Sequence, residues 1–354
     1  MTVPVKILIL GASYGSLLGT KLALAGHDVR LVCLPDEVDR FNADGATVMM
    51  PIRGTEGLTR LDTANAAGSL DACVPDDAHP SAFDLIALAM QEPQYASPGV
   101  RELMSRVAAS GKPVMSIMNM PPLPYLARLP GVKTADLRRC YRNPDVWDQF
   151  DPALMTLASP DPQAFRPPEQ PLNHLQVSLP TNFKVAGFAN PGHTALLHRL
   201  AADIEAIRYG GDALALPVKL KVHASLFVPL AKWAMLLTGN YRCVTASGPR
   251  AIAEAVHDDP ALSASVYQAV CKMCQQLGAD PDDMVPFEKY AAAARGLAKP
   301  SSAARALFTG APNIERVDLV VGVLAAQTGI EIPSLSQTSA LIDDKLAANR
   351  LAAA

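Results

Sequence analysis

An apolar run, Lys6-Ile7-Leu8-Ile9-Leu10, breaks at Gly11-Ala12-Ser13-Tyr14-Gly15-Ser16 and resumes as Leu17-Leu18-Gly19-Thr20-Lys21-Leu22-Ala23-Leu24-Ala25-Gly26. This reads as a buried strand, a glycine turn and a helix closed by Gly26. A helix entered this way leaves its first amide N–H groups unpaired at the positive end of its dipole, where a phosphate fits. Glycine suits the turn because a side chain would meet either the backbone or an approaching pyrophosphate, and Gly19 lets the helix lie close to the sheet. The next segment, His27 to Leu34, has the composition of a second parallel strand, which completes a βαβ unit. The spacing departs from G-x-G-x-x-G. Gly11 and Gly15 are separated by three residues, so the turn is one residue short and Ser13 stands where a glycine is expected. An ordinary strand-to-helix connection is the other reading of these residues alone.

The chain has 354 residues, enough for two domains with separate cores, and its formal net charge of −3 suggests no polyanionic partner. Nothing approaches the roughly 18 uninterrupted apolar residues of a membrane span, and the N-terminal apolar run has no basic leader. These features predict a cytoplasmic protein without a membrane or nucleic-acid partner. The six cysteines form no regular framework, and Cys271-x-x-Cys274 lies in a helical stretch without a second pair at zinc spacing. Core packing is expected for them, and no metal site.

Up to residue 209 strand-like and helix-like segments alternate. Strands are expected at Ile7 to Leu10, Val29 to Cys33, Ala46 to Met50, Asp84 to Ala89, Pro113 to Met118, Leu154 to Leu157 and Phe183 to Phe188. The proline-rich stretch from Ala158 to Pro180 reads as a surface loop. After Gly210 and Gly211 helical spacing takes over, as in Val218 to Leu237, Ala261 to Leu277 and Ile314 to Thr328. The expected architecture is therefore α/β, with a Rossmann-type dinucleotide-binding domain over 1–209 and an all-helical domain for substrate and dimerisation over 210–354. A small substrate would occupy the cleft between two such domains.

Three constellations could carry chemistry. Gln91 follows the fourth expected strand and Asn119 the fifth, at the strand ends where open parallel sheets bind ligands. An amide at Asn119 can donate and accept together; a turn before Pro121 would also use it. Lys232 is the only charge between Val222 and Asn240, in an apolar helix, and a buried ammonium is costly unless used or paired. A lysine so placed can act as general acid toward a carbonyl oxygen, or it can snorkel to solvent. Asn240 lies about two turns on, on a similar face. His223, beside Lys221, reads as a surface or structural residue.

Together these features resemble the ketopantoate reductase family (2-dehydropantoate 2-reductases) over nearly the whole chain. The resemblance rests on the N-terminal unit through Ala25-Gly26-His27-Asp28-Val29, on Met118-Asn119, on Lys232 and Asn240, on Lys299-Pro300-Ser301-Ser302, and on the last stretch through Gly329-Ile330-Glu331-Ile332-Pro333. It implies a 6-phosphogluconate dehydrogenase-like fold, a possible homodimer, and reduction of a 2-oxo acid or related ketone to the hydroxy compound, with NADPH expected before NADH. By the same resemblance Lys232 is the catalytic lysine. Asn119, Asn240, Ser302 and Glu315 hold the substrate, Glu315 only with a one-residue insertion after Ser302. Gly11, Ala12, Ser13, Tyr14, Gly15, Gln91 and Asn119 meet the cofactor.

The departures are as informative. Gln91 stands in place of a family lysine, Leu236 in place of an asparagine one turn after Lys232, and Met120-Pro121 in place of the glycine after Asn119. A site that loses polar groups discriminates less against apolar substrates, so a substrate other than ketopantoate is implied. An opine-type dehydrogenase, for which His223 and an added amine would matter, and a non-catalytic nucleotide-binding sensor are the alternative readings.

Overall fold

The computed structural model describes residues 3–210 and 214–353. They divide into two compact units: Met1–Met90, Gln94–Tyr125 and Asp145–Ala224 form the first, and Gln91–Pro93, Leu126–Pro144 and Ser225–Ala354 the second.

The first unit is built on an eight-stranded sheet. Its strands are β1 (Lys6–Leu10), β2 (Asp28–Val32), β5 (Ser69–Cys73), β6 (Leu85–Leu88), β7 (Val114–Ile117), β8 (Met155–Ser159), β11 (Phe183–Ala186) and β14 (Leu220–His223), in the order β14-β11-β8-β7-β6-β1-β2-β5. Every pairing is parallel except β8 with β11. The continuous apolar composition of β1 follows from its central place, since Ile7 to Leu10 are at most 1% exposed. From β1 the chain builds outward to β2 and β5, then returns to the other side of β1 with β6. That reversal makes the carboxyl ends of β1 and β6 the switch point at which such sheets bind ligands. Helices α1 (Ala12–Leu24), α2 (Pro35–Asp44), α3 (Val100–Ala109) and α6 (Pro191–Ala206) belong to this unit, and the short α4 (Leu123–Leu126) runs across its end at Tyr125.

Two segments depart from the sequence reading. The stretch from Ala158 to Pro180 is not all loop: β9 (Gln163–Phe165) and β10 (His174–Leu179) pair antiparallel, and β10 adds in parallel to β3 (Thr47–Pro51) of the β3–β4 hairpin, β4 being Leu58–Asp62. Pro162, Pro167, Pro168, Pro171 and Pro180 all fall outside the two strands, so no ladder bond is lost. The stretch from Val218 to Leu237 is not one helix. Leu220 and Val222 alternate with Lys219 and Lys221, whose ammonium groups both reach Glu205, at 2.5 and 2.9 Å. That period of two suits a strand, and β14 pairs in parallel with β11 from Phe183 opposite Leu220. The chain leaves the first unit only after Ala224, so residue 209 falls within it. Gly211 lies outside the described residues.

The second unit is mainly helical. It contains α5 (Thr134–Leu137), α7 (Lys232–Met235), α8 (Ile252–His257), α9 (Pro260–Gln276), α10 (Phe287–Ala294), α11 (Ser302–Phe308), α12 (Val317–Thr328) and α13 (Leu335–Ala353). Two-residue ribbons complete the strands, β12 (Arg208–Tyr209) with β13 (Leu214–Ala215) in the first unit and β15 (Val244–Thr245) with β16 (Gly248–Pro249) here. Helix α12 begins three residues later than its periodicity suggests, because Tyr241 Oη fixes the preceding turn, as shown below. Cys271 and Cys274 lie in α9 as free thiols, and among the described residues no cluster could hold a metal. No helix among them is long and apolar enough to cross a membrane.

Candidate active site

In the first unit a single residue separates β1 from α1. Gly11, at φ 102°, donates its N–H to Val32 O at 2.9 Å, and α1 starts at Ala12. A Cβ at Gly11 would lie 2.4 Å from Met90 Cγ and 2.9 Å from Ala89 O, so the loop after β6 closes over this turn and only glycine fits. Met90 is held there by its N–H bond to Tyr95 Oη at 2.9 Å. A Cβ at Gly15 would come within 2.6 Å of Ile9 Cγ2, and one at Gly19 within 3.2 to 3.4 Å of Leu70, Val29 and Leu31. These two glycines seat α1 on the sheet. Ser13, the expected third glycine, is an exposed residue of the first helical turn. Tyr14 turns its side chain away from open space: Oη donates to Pro162 O at 2.7 Å and the ring meets Phe183 edge-on. Ala12 is buried.

The first turn of α1 has no acidic residue and no side-chain cap, so its N–H groups keep their capacity for an anion. The side-chain-free turn, the uncapped helix and the switch point together fit the phosphates of a dinucleotide. Asn119, half-buried two residues past β7, occupies the carboxyl edge of the same sheet.

At the end of β2, where such domains read the adenosine ribose, Leu34 is 70% exposed. The nearest buried carboxylate, Glu37, accepts from Leu34 N–H at 3.0 Å and forms an ion pair with Arg166, which follows β9. Arg166 Nη2 is buried and has no acceptor among the described residues. Burial pushes the Cys33 thiol up to about 12, which leaves it inert.

In the second unit Lys232 opens α7 and is half-buried. The four-residue α7 passes into a π-helical turn, Leu236–Asn240, in which Tyr241 N–H reaches back five residues to Leu236 O. An α-helix advancing about 100° per residue would leave Asn240 about 80° out of line with Lys232. A π turn takes up one extra residue, which rotates Asn240 back to within about 20° of that line. Lys232 and Asn240 keep partial exposure while Leu236 to Gly239 are buried, as this geometry requires. Leu236, at the position of a family asparagine, is 4% exposed.

The residues on either side of this turn are tied together. Ser301 Oγ donates to Asn240 O at 2.7 Å and caps α11 by accepting from Ala304 N–H at 3.1 Å. Ser302, named from the resemblance, is the exposed first residue of α11, so the buried serine is its neighbour. Tyr241 Oη donates to Glu315 O at 2.6 Å and accepts from Val317 N–H at 3.0 Å. That clamp sets the start of α12 and holds Glu315, which is 8% exposed. Ser301→Ala is expected to cost about 1–2 kcal/mol through the lost cap and the unpaired Asn240 carbonyl, read as a lower urea midpoint.

Gln91, expected from the sequence to meet the cofactor, is exposed, whereas its neighbour Glu92 is 3% exposed and accepts from Arg142 N–H at 3.2 and 3.3 Å. Tyr141, which carries no signal of its own in the sequence, is buried as well. Burial, then the charges of Glu92, Cys140 and Glu315, push its hydroxyl well above the ordinary tyrosine range, so two carboxylates and a tyrosine share this part of the unit. The acid-proline pair Glu92-Pro93 directly after an apolar strand was the available signal.

A mostly parallel sheet entered through a glycine turn, followed by a mainly helical unit, is a ketopantoate reductase-like fold. No family model and no curated protein matches the chain. Solved structures do. A PanE/ApbA family ketopantoate reductase from Ralstonia eutropha JMP134 is 16% identical with a TM-score of 0.63, covering 98% of this chain and 99% of its own. The 2-dehydropantoate 2-reductase from Methylococcus capsulatus is 13% identical with a TM-score of 0.66, covering 97% of each chain. D-Mandelate dehydrogenase, solved with NADH and anilino(oxo)acetate, is 13% identical with a TM-score of 0.64 over 98% of this chain and 99% of its own.

Proposed function

We propose that the chain is an NAD(P)H-dependent reductase that converts a 2-oxo acid with an apolar side chain into the 2-hydroxy acid. The observation that carries this reading is the π turn between Lys232 and Asn240 in the helical unit, which by helix geometry brings the two positions to within about 20° of one line. When bound, the nicotinamide supplies hydride to the carbonyl carbon. Lys232 donates a proton to the carbonyl oxygen, Asn240 and Asn119 orient the substrate by hydrogen bonds, and Ser302 and Glu315 complete the polar contacts. The buried Leu236 favours an apolar substrate, and D-mandelate dehydrogenase, with its bound anilino(oxo)acetate, offers a parallel. A panel of 2-oxo acids graded from ketopantoate to phenylglyoxylate, followed by loss of nicotinamide absorbance, tests it. Turnover rising toward the apolar members is expected; absence of turnover across the panel defeats the proposal.

NADPH is the cofactor we favour. Arg166 is the guanidinium that the β9–β10 hairpin brings to the end of β2, and its buried Nη2 is suited to a 2′-phosphate. Arg166→Gln should weaken NADPH binding about tenfold and leave NADH binding unchanged, measured by nicotinamide fluorescence. Equal loss for both nucleotides, or for neither, assigns Arg166 no part in the choice. A dimer accords with the dimeric ketopantoate reductase from Staphylococcus aureus, 11% identical with a TM-score of 0.58, and sedimentation tests it.

A further inference from the structure

Beyond the proposed reductase residues, the second unit holds a pocket of about 310 Å³ lined by Arg242, Arg250, Thr245, Gln337, Leu262 and Leu341 among others. Arg242 is 7% exposed, yet no carboxylate lies within 4 Å of it among the described residues. Its Nη1 donates to Thr238 O at 3.2 Å and to Ser263 Oγ at 2.8 Å; both partners are neutral. Nε and Nη2 have no protein acceptor among those residues. Arg250 stands beside it, giving Nε to Arg242 O at 2.9 Å and Nη1 to the exposed Asp258 at 3.2 Å. Asp259 and Asp258 act on Arg242 only from beyond ion-pair distance, and a buried cation without a contacting counter-ion is costly, the more so with a second cation alongside. Burial and then the charge of Arg250 hold the Arg242 guanidinium below its ordinary range.

The third contribution is a helix end. Ser334, Gln337 and Thr338 also line the pocket, and they form the start of the 19-residue α13, which has no acidic residue in its first turn. Two guanidiniums and the positive end of a helix dipole thus face one pocket whose other walls include Val244, Leu262 and Leu341.

We propose that this pocket is a second ligand site, for a small oxyanion, carboxylate or phosphate, that supplies the counter-charge Arg242 lacks. An oxyanion would take hydrogen bonds from Arg242 and Arg250, and an attached short apolar body would rest on the leucines.

The test titrates the full chain with inorganic phosphate, and separately with butyrate, at ionic strength held constant by sodium chloride. Melting temperature and calorimetry are the readouts, and neither depends on catalysis. A saturable shift with Kd at or below about 10 mM is expected for at least one of the two, and the tighter one names the headgroup. Arg250→Gln, at a partly exposed side chain, should weaken binding about tenfold or more, and Arg242→Gln should abolish it. No saturable shift with either anion overturns the proposal. So does binding that survives Arg250→Gln unchanged, because the anion then lies elsewhere, such as at the start of α1.

Discussion

Replacing Lys232 by alanine is expected to lower kcat/KM for whichever 2-oxo acid the protein reduces by about 10²–10⁴-fold, the usual worth of a positioned proton donor. Dinucleotide binding, measured by nicotinamide fluorescence, should be unchanged, because the residues of the glycine turn belong to the other unit. Arginine at 232 should not restore turnover: it keeps the charge but cannot release its proton near neutral pH. A lysine that merely packs would give the reverse pattern, with arginine largely tolerated and stability lost in the alanine variant. Turnover within about threefold of the parent in Lys232→Ala removes the assignment and means that another group supplies the proton.

A second large effect is expected in stability, at a lysine without an assigned role in catalysis. Lys21, in the last turn of α1, is 1% exposed; its Nζ donates to Pro217 O at 2.9 Å, and no carboxylate lies within 4 Å among the described residues. Burial, and next the charge of Lys219, lower it from 10.5 to about 7. In the unfolded chain it titrates near 10.4, so between about pH 7 and that value the unfolded state binds more protons and stability rises with pH. The penalty is present in full below pH 7 and has gone above the unfolded value; it amounts to on the order of 4 kcal/mol. Urea unfolding at pH 7 and 9 should therefore show the parent gaining about 2 kcal/mol more than Lys21→Met over that interval. Titrations common to both proteins cancel in this difference. Parallel pH profiles would mean that Lys21 stays charged in the folded protein.

The N-terminal βαβ unit could be read because its determinants are local: an apolar run that only a fully buried strand tolerates, then glycines that the helix needs for contact. The β14 strand could not. Its alternation of Leu220 and Val222 with lysines spans four residues, and what makes it a strand is β11, some 37 residues earlier in the chain. The β9–β10 hairpin was hidden by prolines that in fact stand outside its ladder. In the candidate site, residue types were legible and their orientation was not. Lys232, Asn119 and Asn240 stand out by being polar in apolar surroundings. Whether Gln91 or Glu92, and Ser301 or Ser302, faces inward depends on a loop or on the first residue of a helix, where an offset of one exchanges buried for exposed.

The π turn after α7 has a consequence for how such chains diverge. In an alignment it would register as a single-residue gap inside a helix, a place where gaps are seldom allowed. A relative lacking that residue would keep the same lysine and the same asparagine in order, yet present the asparagine about a quarter-turn away. Substrate range could then change by indel alone, with every side-chain identity conserved.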